Sequence, residues 1–135
     1  MSVAPITRIE LAARIAEAIG HQEGFFLVTS KAKRNHNPGN LRSWGGLPIS
    51  DGFVRFPSDE SGWEALRSQV LRNIRRGLTL RTFFGGQRDV AGNVVPGGDP
   101  GYAPSADSND PDRYARAVSA RIGIGIDVVL MEVSE

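Results

Sequence analysis

The stretch "HQEGFFLVTSKAKRNHNPGNLR", His21 to Arg42, holds one carboxylate, Glu23, between an apolar stripe and two phenylalanines. Apolar neighbours disfavour the charged form of a carboxyl group, so such an acid keeps its proton near neutral pH. A general acid that protonates a leaving-group oxygen needs that property. Phe25, Phe26 and the stripe Leu11, Ile15, Ile19 supply the apolar wall in this reading. The competing role is a helix-end glutamate, solvated or paired with Lys31, Lys33 or Arg34. Trp44 and Tyr102 fall in expected loops or sheet edges, where ring faces can stack on an apolar ligand face, although Trp44 could equally pack inside. Trp63, Phe25, Phe26, Phe53 and Phe56 are expected in the core. His21 and His36 have no paired spacing, so no metal site is expected. The glycine-rich run lacks phosphate-binding patterns, so no cofactor is expected either.

The elements that must position these groups follow from periodicity and caps. Thr7 and Glu10 form an expected capping box, and Leu11, Ile15 and Ile19 step along one helix face toward Glu23. Gly20 either ends that helix or sits inside it. Asn37-Pro38-Gly39-Asn40 is turn chemistry. Leu41 to Trp44 and Gly52 to Phe56 read as two strands of a small antiparallel sheet, with Asp51 in their connection. Ser58 caps a helix with face Trp63, Leu66, Val70, Ile74, stopped by Gly77. Asp59 and Glu60 suit its first turn, where the helix dipole favours acids. Thr79 caps a short helix with Leu80, Phe83 and Phe84. Residues 85–101 form a glycine-rich loop or insertion, with a small hairpin around Ala91-Gly92-Asn93. A last helix starts near Asn109 or Asp110 with Pro111 at its first position, buries Tyr114, Val118 and Ile122, and ends at Gly123. The tail "GIDVVLMEVSE" has no clear state. The fold class is α+β, mostly α.

Bulk properties set the frame. At 135 residues, 40% apolar and 23% charged, the chain has the composition of one globular domain. A net charge of +1 does not call for nucleic acid. Arg67, Arg72, Arg75 and Arg76 make one helix basic, read first as a solvated face. Without cysteines, disulfides and thiolate metal sites are excluded. No signal-peptide core and no apolar run of membrane-spanning length occurs, so synthesis in the cytoplasm without membrane insertion is expected.

Four blocks carry a resemblance: "IAEAIGHQEGFF", "RNHNPGNLR", "GFVRFPSDESGWEAL" and "GYAPSADSNDPDRYARAVSARIGI". In order and type they resemble the lysozyme-like superfamily, closest in pattern to small bacterial and phage muramidase-like proteins with an N-P-G-N-[LI]-R segment. The last block also resembles a segment of cell-wall glucosaminidases. The resemblance implies a single lysozyme-like domain over residues 1–135, with a small sheet beside the catalytic helix. It implies a peptidoglycan glycan-strand cleaving enzyme, a muramidase or a lytic transglycosylase, with Glu23 as the catalytic acid. Asn40, Arg42, Trp44, Tyr102 and Tyr114 would bind the glycan. Gly24 stands where lytic transglycosylases usually carry serine.

Glycosidases normally use two carboxylates. Asp51, Glu60 and Asp99 are the candidates for the second; Asp51 is best located, with turn formation beside Gly52 as its competing role. A transglycosylase needs only one acid, because the muramic acid 6-hydroxyl attacks within the substrate. The expected partner is peptidoglycan, reached by phage lysis, on a virion or through a dedicated secretion machine. The alternative is a non-catalytic peptidoglycan-binding or virion structural module that keeps the fold. Hydrolysis versus transglycosylation, the bond cut and the oligomeric state stay open.

Overall fold

The structure is a computed structural model that describes residues 6–103 and 110–135. Asn109, named above as a possible helix start, lies outside the described residues. Among the described residues the protein is mostly helical, with one two-stranded antiparallel sheet. It divides into two compact units, Ile9–Arg72 and Asn73–Glu135 with Met1–Arg8.

The N-terminal unit begins with α1, Arg8–Gln22, which starts directly after Thr7. Its stripe is as expected: Leu11, Ile15 and Ile19 are fully buried. Gly20 lies inside the helix rather than ending it, because the Trp63 indole rests there. A Cβ on Gly20 would lie 2.6 Å from Trp63 Cη2. The helix ends two residues later, at Gln22. Gly24 takes a left-handed φ of +76°, its N–H bonds to His21 O, and Phe25 N–H reaches back to Gly20 O (2.9 Å). These two bonds are the Schellman termination, whose left-handed position favours glycine. Glycine at position 24 is therefore explained by the backbone.

A one-turn helix, α2, Lys31–Arg34, follows; Ser30 caps it by accepting from Lys33 N–H. Four residues carry no periodicity, so no sequence pattern marks this turn. The sheet pairs β1, Ile49–Ser50, with β2, Phe53–Val54. The first strand is thus not Leu41 to Trp44. Asp51 and Gly52 have φ of +54° and +84°, the two-residue hairpin turn that makes Ser50 face Phe53. With that turn, β2 must pair with the residues immediately before it. Leu41 only accepts the Val54 N–H (2.8 Å) on the other edge of β2. Helix α3, Asp59–Arg75, is capped by Ser58, whose hydroxyl accepts the Ser61 N–H. Leu66 and Val70 are fully buried on it. Trp63 is half-buried, edge-on to Phe25 at 5.1 Å.

In the C-terminal unit, α3 stops at the Gly77 turn, as its sequence implies. Thr79 and Thr82 form a reciprocal capping box for α4, Leu80–Gly85, which buries Leu80, Phe83 and Phe84. Asp110 caps α5, Pro111–Ile122, which ends at left-handed Gly123. On α5 Ala115 and Val118 are buried, while Tyr114 and Ile122 are half-buried. The tail is ordered as a 3-10 helix, Leu130–Val133, anchored by fully buried Leu130. Glu135 exchanges backbone bonds with Ile6 and Arg8. The glycine-rich loop holds a single antiparallel bridge, Arg88 to Val94. The exposed Arg88 guanidinium donates to the carbonyls of Gly85, Gly92 and Pro100, which ties the loop together.

Candidate functional site

Glu23 is the cap residue of α1. Its N–H still bonds to Ile19 O (2.8 Å), so the side chain leaves from the last position with helical geometry. It is half-buried. Asn40 Nδ2 donates to Glu23 Oε1 at 3.1 Å, across 17 residues of sequence. The acid and the Asn-Pro-Gly-Asn turn are therefore brought together.

The turn is rigid for a reason its composition does not announce. Asn37 is fully buried. Its Oδ1 accepts the Leu41 N–H (2.9 Å), and its Nδ2 donates to the carbonyls of Leu41 (3.0 Å) and Val54 (2.9 Å). One amide side chain thus ties the turn to β2. Asn37→Asp should cost at least about 2 kcal/mol in a urea melt at neutral pH, because a carboxylate oxygen would face two carbonyls. Asn37 carries a structural role that sequence reading folded into generic turn chemistry.

Asn40 closes the turn in an unusual state. Its φ is +49°, and its Oδ1 is buried without a hydrogen-bond partner among the described residues. A strained backbone and an unsatisfied acceptor beside a carboxylate are costs that concentrate at functional sites.

The other side of the turn is clamped to α3. Asp59 at the helix start accepts from Lys33 Nζ and contacts His36 Nδ1, both at 2.7 Å. Lys33 is thus paired with Asp59. The Lys33 hydrogen bond, and then that of His36, hold the Asp59 carboxyl below its ordinary value. A depressed folded-state pKa contributes stability above the unfolded value, about 3.9, and loses it as pH falls through the folded one. All three side chains are more than a third exposed, so the contribution is modest. Asp59→Asn should lower stability by about 0.2–1 kcal/mol at pH 6, with the deficit vanishing below the carboxylate range in acid melts.

The remaining expected site residues separate. The Arg42 guanidinium lies 5.6 Å from the Phe53 ring centroid, with Lys31 Nζ at 5.7 Å from the same centroid. Trp44 is half-buried and joined to Leu47 across the Gly45-Gly46 turn. Both border an open, mostly apolar depression of about 290 Å³, with Phe56, Pro57, Glu64 and Ala65. Its described lining includes neither Glu23 nor Asn40. Asp51 is exposed, and the hairpin turn accounts for it. Glu60 is exposed in the first turn of α3.

In the C-terminal unit, Asp99 is engaged by Arg76 (2.7 Å) and by the Gly101 N–H (2.8 Å), which gives it a structural role. Tyr102 packs edge-on to Phe84, and Tyr114 stacks on the same ring at 4.4 Å. Among the described residues, no three His, Asp or Glu side chains converge as metal ligands.

Compared with protein-family models, curated proteins and solved structures, the chain matches none.

Proposed function

We propose that this protein is a lysozyme-like enzyme that cleaves the glycan strands of peptidoglycan, with Glu23 as its general acid. The observation that carries the reading is the 3.1 Å contact between Asn40 Nδ2 and Glu23 Oε1. It joins the candidate acid to the "NPGNLR" block, the most specific part of the resemblance.

The contact also has a chemical use. An amide is both donor and acceptor. Its NH2 group can hold the ionised carboxylate. Turned over, its Oδ1 can accept the proton of the neutral acid. Asn40 therefore orients Glu23 in both protonation states, as an acid that gives up and regains a proton requires. In the cleavage step Glu23 passes its proton to the glycosidic oxygen, and the bond to the anomeric carbon breaks. In hydrolysis water then fills the anomeric position and its proton returns to the enzyme. In transglycosylation the substrate's own 6-hydroxyl does so and leaves a 1,6-anhydro end. Arg42 and Trp44 are the glycan-binding groups of the N-terminal unit in this reading.

The test is incubation of the full chain with purified cell walls, followed by turbidity and by mass analysis of released fragments. Loss of turbidity with reducing ends assigns a hydrolase; anhydro ends, lighter by one water, assign a transglycosylase. Wall binding without fragment release overturns the enzyme and leaves a binding module.

A further inference from the structure

The turn that ends α1 continues into three consecutive exposed apolar residues: Phe26 at 53%, Leu27 at 65% and Val28 at 84% exposure. Phe26 was expected in the core, and the structure corrects this. Phe25 takes the buried position at the Schellman turn, and the chain then turns outward. The loop is firmly built. Leu27 N–H bonds to Gly24 O and Ser30 N–H to Leu27 O. The Arg34 guanidinium donates to the Thr29 carbonyl. The Phe26 ring lies on His21 (4.3 Å) and Trp63 (5.9 Å), which leaves Leu27 and Val28 as the tip.

Glu23 precedes the tip and Glu17 lies against His21, the ring under Phe26, while the residues that follow the tip are basic. Residues 24–50 contain Lys31, Lys33, Arg34 and Arg42 and no Asp or Glu. Lys33 is committed to Asp59, while Lys31 and Arg34 are exposed on α2, just after the tip. An apolar projection beside exposed cations matches the interface of an anionic lipid bilayer. There, acyl boundaries accept apolar side chains and phosphates attract Lys and Arg. A water-exposed anionic polymer would satisfy the cations and leave the tip in water. A protein partner would have to supply a pocket for it.

We propose that the 26–28 loop, with Lys31 and Arg34, docks this protein peripherally on anionic lipid bilayers. The loop enters the headgroup region and no segment crosses. Neither Leu27, Val28, Lys31 nor Arg34 has a role in the glycan chemistry proposed above, so docking and cleavage are separable.

The test is co-sedimentation of the full chain with vesicles of phosphatidylcholine alone or mixed equally with phosphatidylglycerol. Binding is expected only to the mixed vesicles. Leu27→Ser/Val28→Ser should weaken it about tenfold at constant salt, and Lys31→Glu/Arg34→Glu should abolish it at low salt. Leu27 and Val28 are exposed, so the serine variant is expected to keep the wild-type melt. Arg34→Glu removes the bond to the Thr29 carbonyl, so Lys31→Glu alone, which leaves that bond in place, is the matched control and should also weaken binding. Failure to bind the mixed vesicles overturns the proposal. So does binding unaffected by the serine variant, which would be charge adsorption alone. A concentration-dependent dimer without vesicles, lost in the serine variant, would assign the tip to a second copy and also overturn it.

Discussion

Glu23→Gln is expected to lower the rate of glycan release about a thousandfold while leaving the fold and wall retention unchanged. Glutamine has the length of glutamate, and its carbonyl oxygen can accept from Asn40 Nδ2 as the carboxylate does. The Schellman turn behind it uses only backbone groups of Gly20, His21, Gly24 and Phe25, which the substitution does not touch. What the variant lacks is a proton to transfer. Positioned general acids contribute about 100- to 10,000-fold, which places the expected loss well outside assay error. Fragment release by Glu23→Gln near the wild-type rate would remove this residue from the mechanism, even if the protein proved to be a wall hydrolase. Absence of release from both would remove the enzyme reading itself.

The largest effect on stability is expected from Gly62→Ala. A Cβ at this position would lie 1.9 Å from His36 O and 2.9 Å from Pro38 Cδ. Neither can move cheaply. His36 and Pro38 belong to the turn held by Asn37, and Asp59 one turn earlier on α3 clamps His36 from the same side. The first turns of α3 or the Asn-Pro-Gly-Asn turn must therefore shift. We expect a loss of at least about 3 kcal/mol, although alanine is the better helix former by about 1 kcal/mol. The melting midpoint should fall by more than about 10 °C. A variant that melts with the wild type would show that α3 does not lie on this turn. Because Asn40 ends the same turn, a folded residue of the Gly62→Ala population should also cleave poorly, which links a helix glycine to the acid through packing alone.

Helix ends were legible in the sequence, and the reason is local. Thr79 with Thr82, Asp110 before Pro111, and Gly77 and Gly123 after their helices each satisfy backbone groups within a few residues. Asp51-Gly52 was legible as a turn for the same reason. The first strand was misplaced because Leu41 to Trp44 has acceptable strand composition, while the hairpin turn dictates which residues lie opposite β2. The one-turn α2 is not legible in the sequence because four residues carry no periodicity. Phe26 was assigned to the core because residue type says nothing about which of two adjacent rings turns inward.

The sequence by itself determined a mostly helical α+β chain and most of the caps that start and stop its helices. Tertiary structure alone decided that Gly20 and Gly62 are contact surfaces, for Trp63 and for the 36–38 turn, and that Asn37 is a buried strut. It also decided that Asn40 meets Glu23 across 17 residues. Caps and turns are closed by hydrogen bonds between near neighbours, so residue types reveal them. Close approaches and long-range amide bonds depend on which surfaces meet after the chain has folded, and no local pattern encodes that.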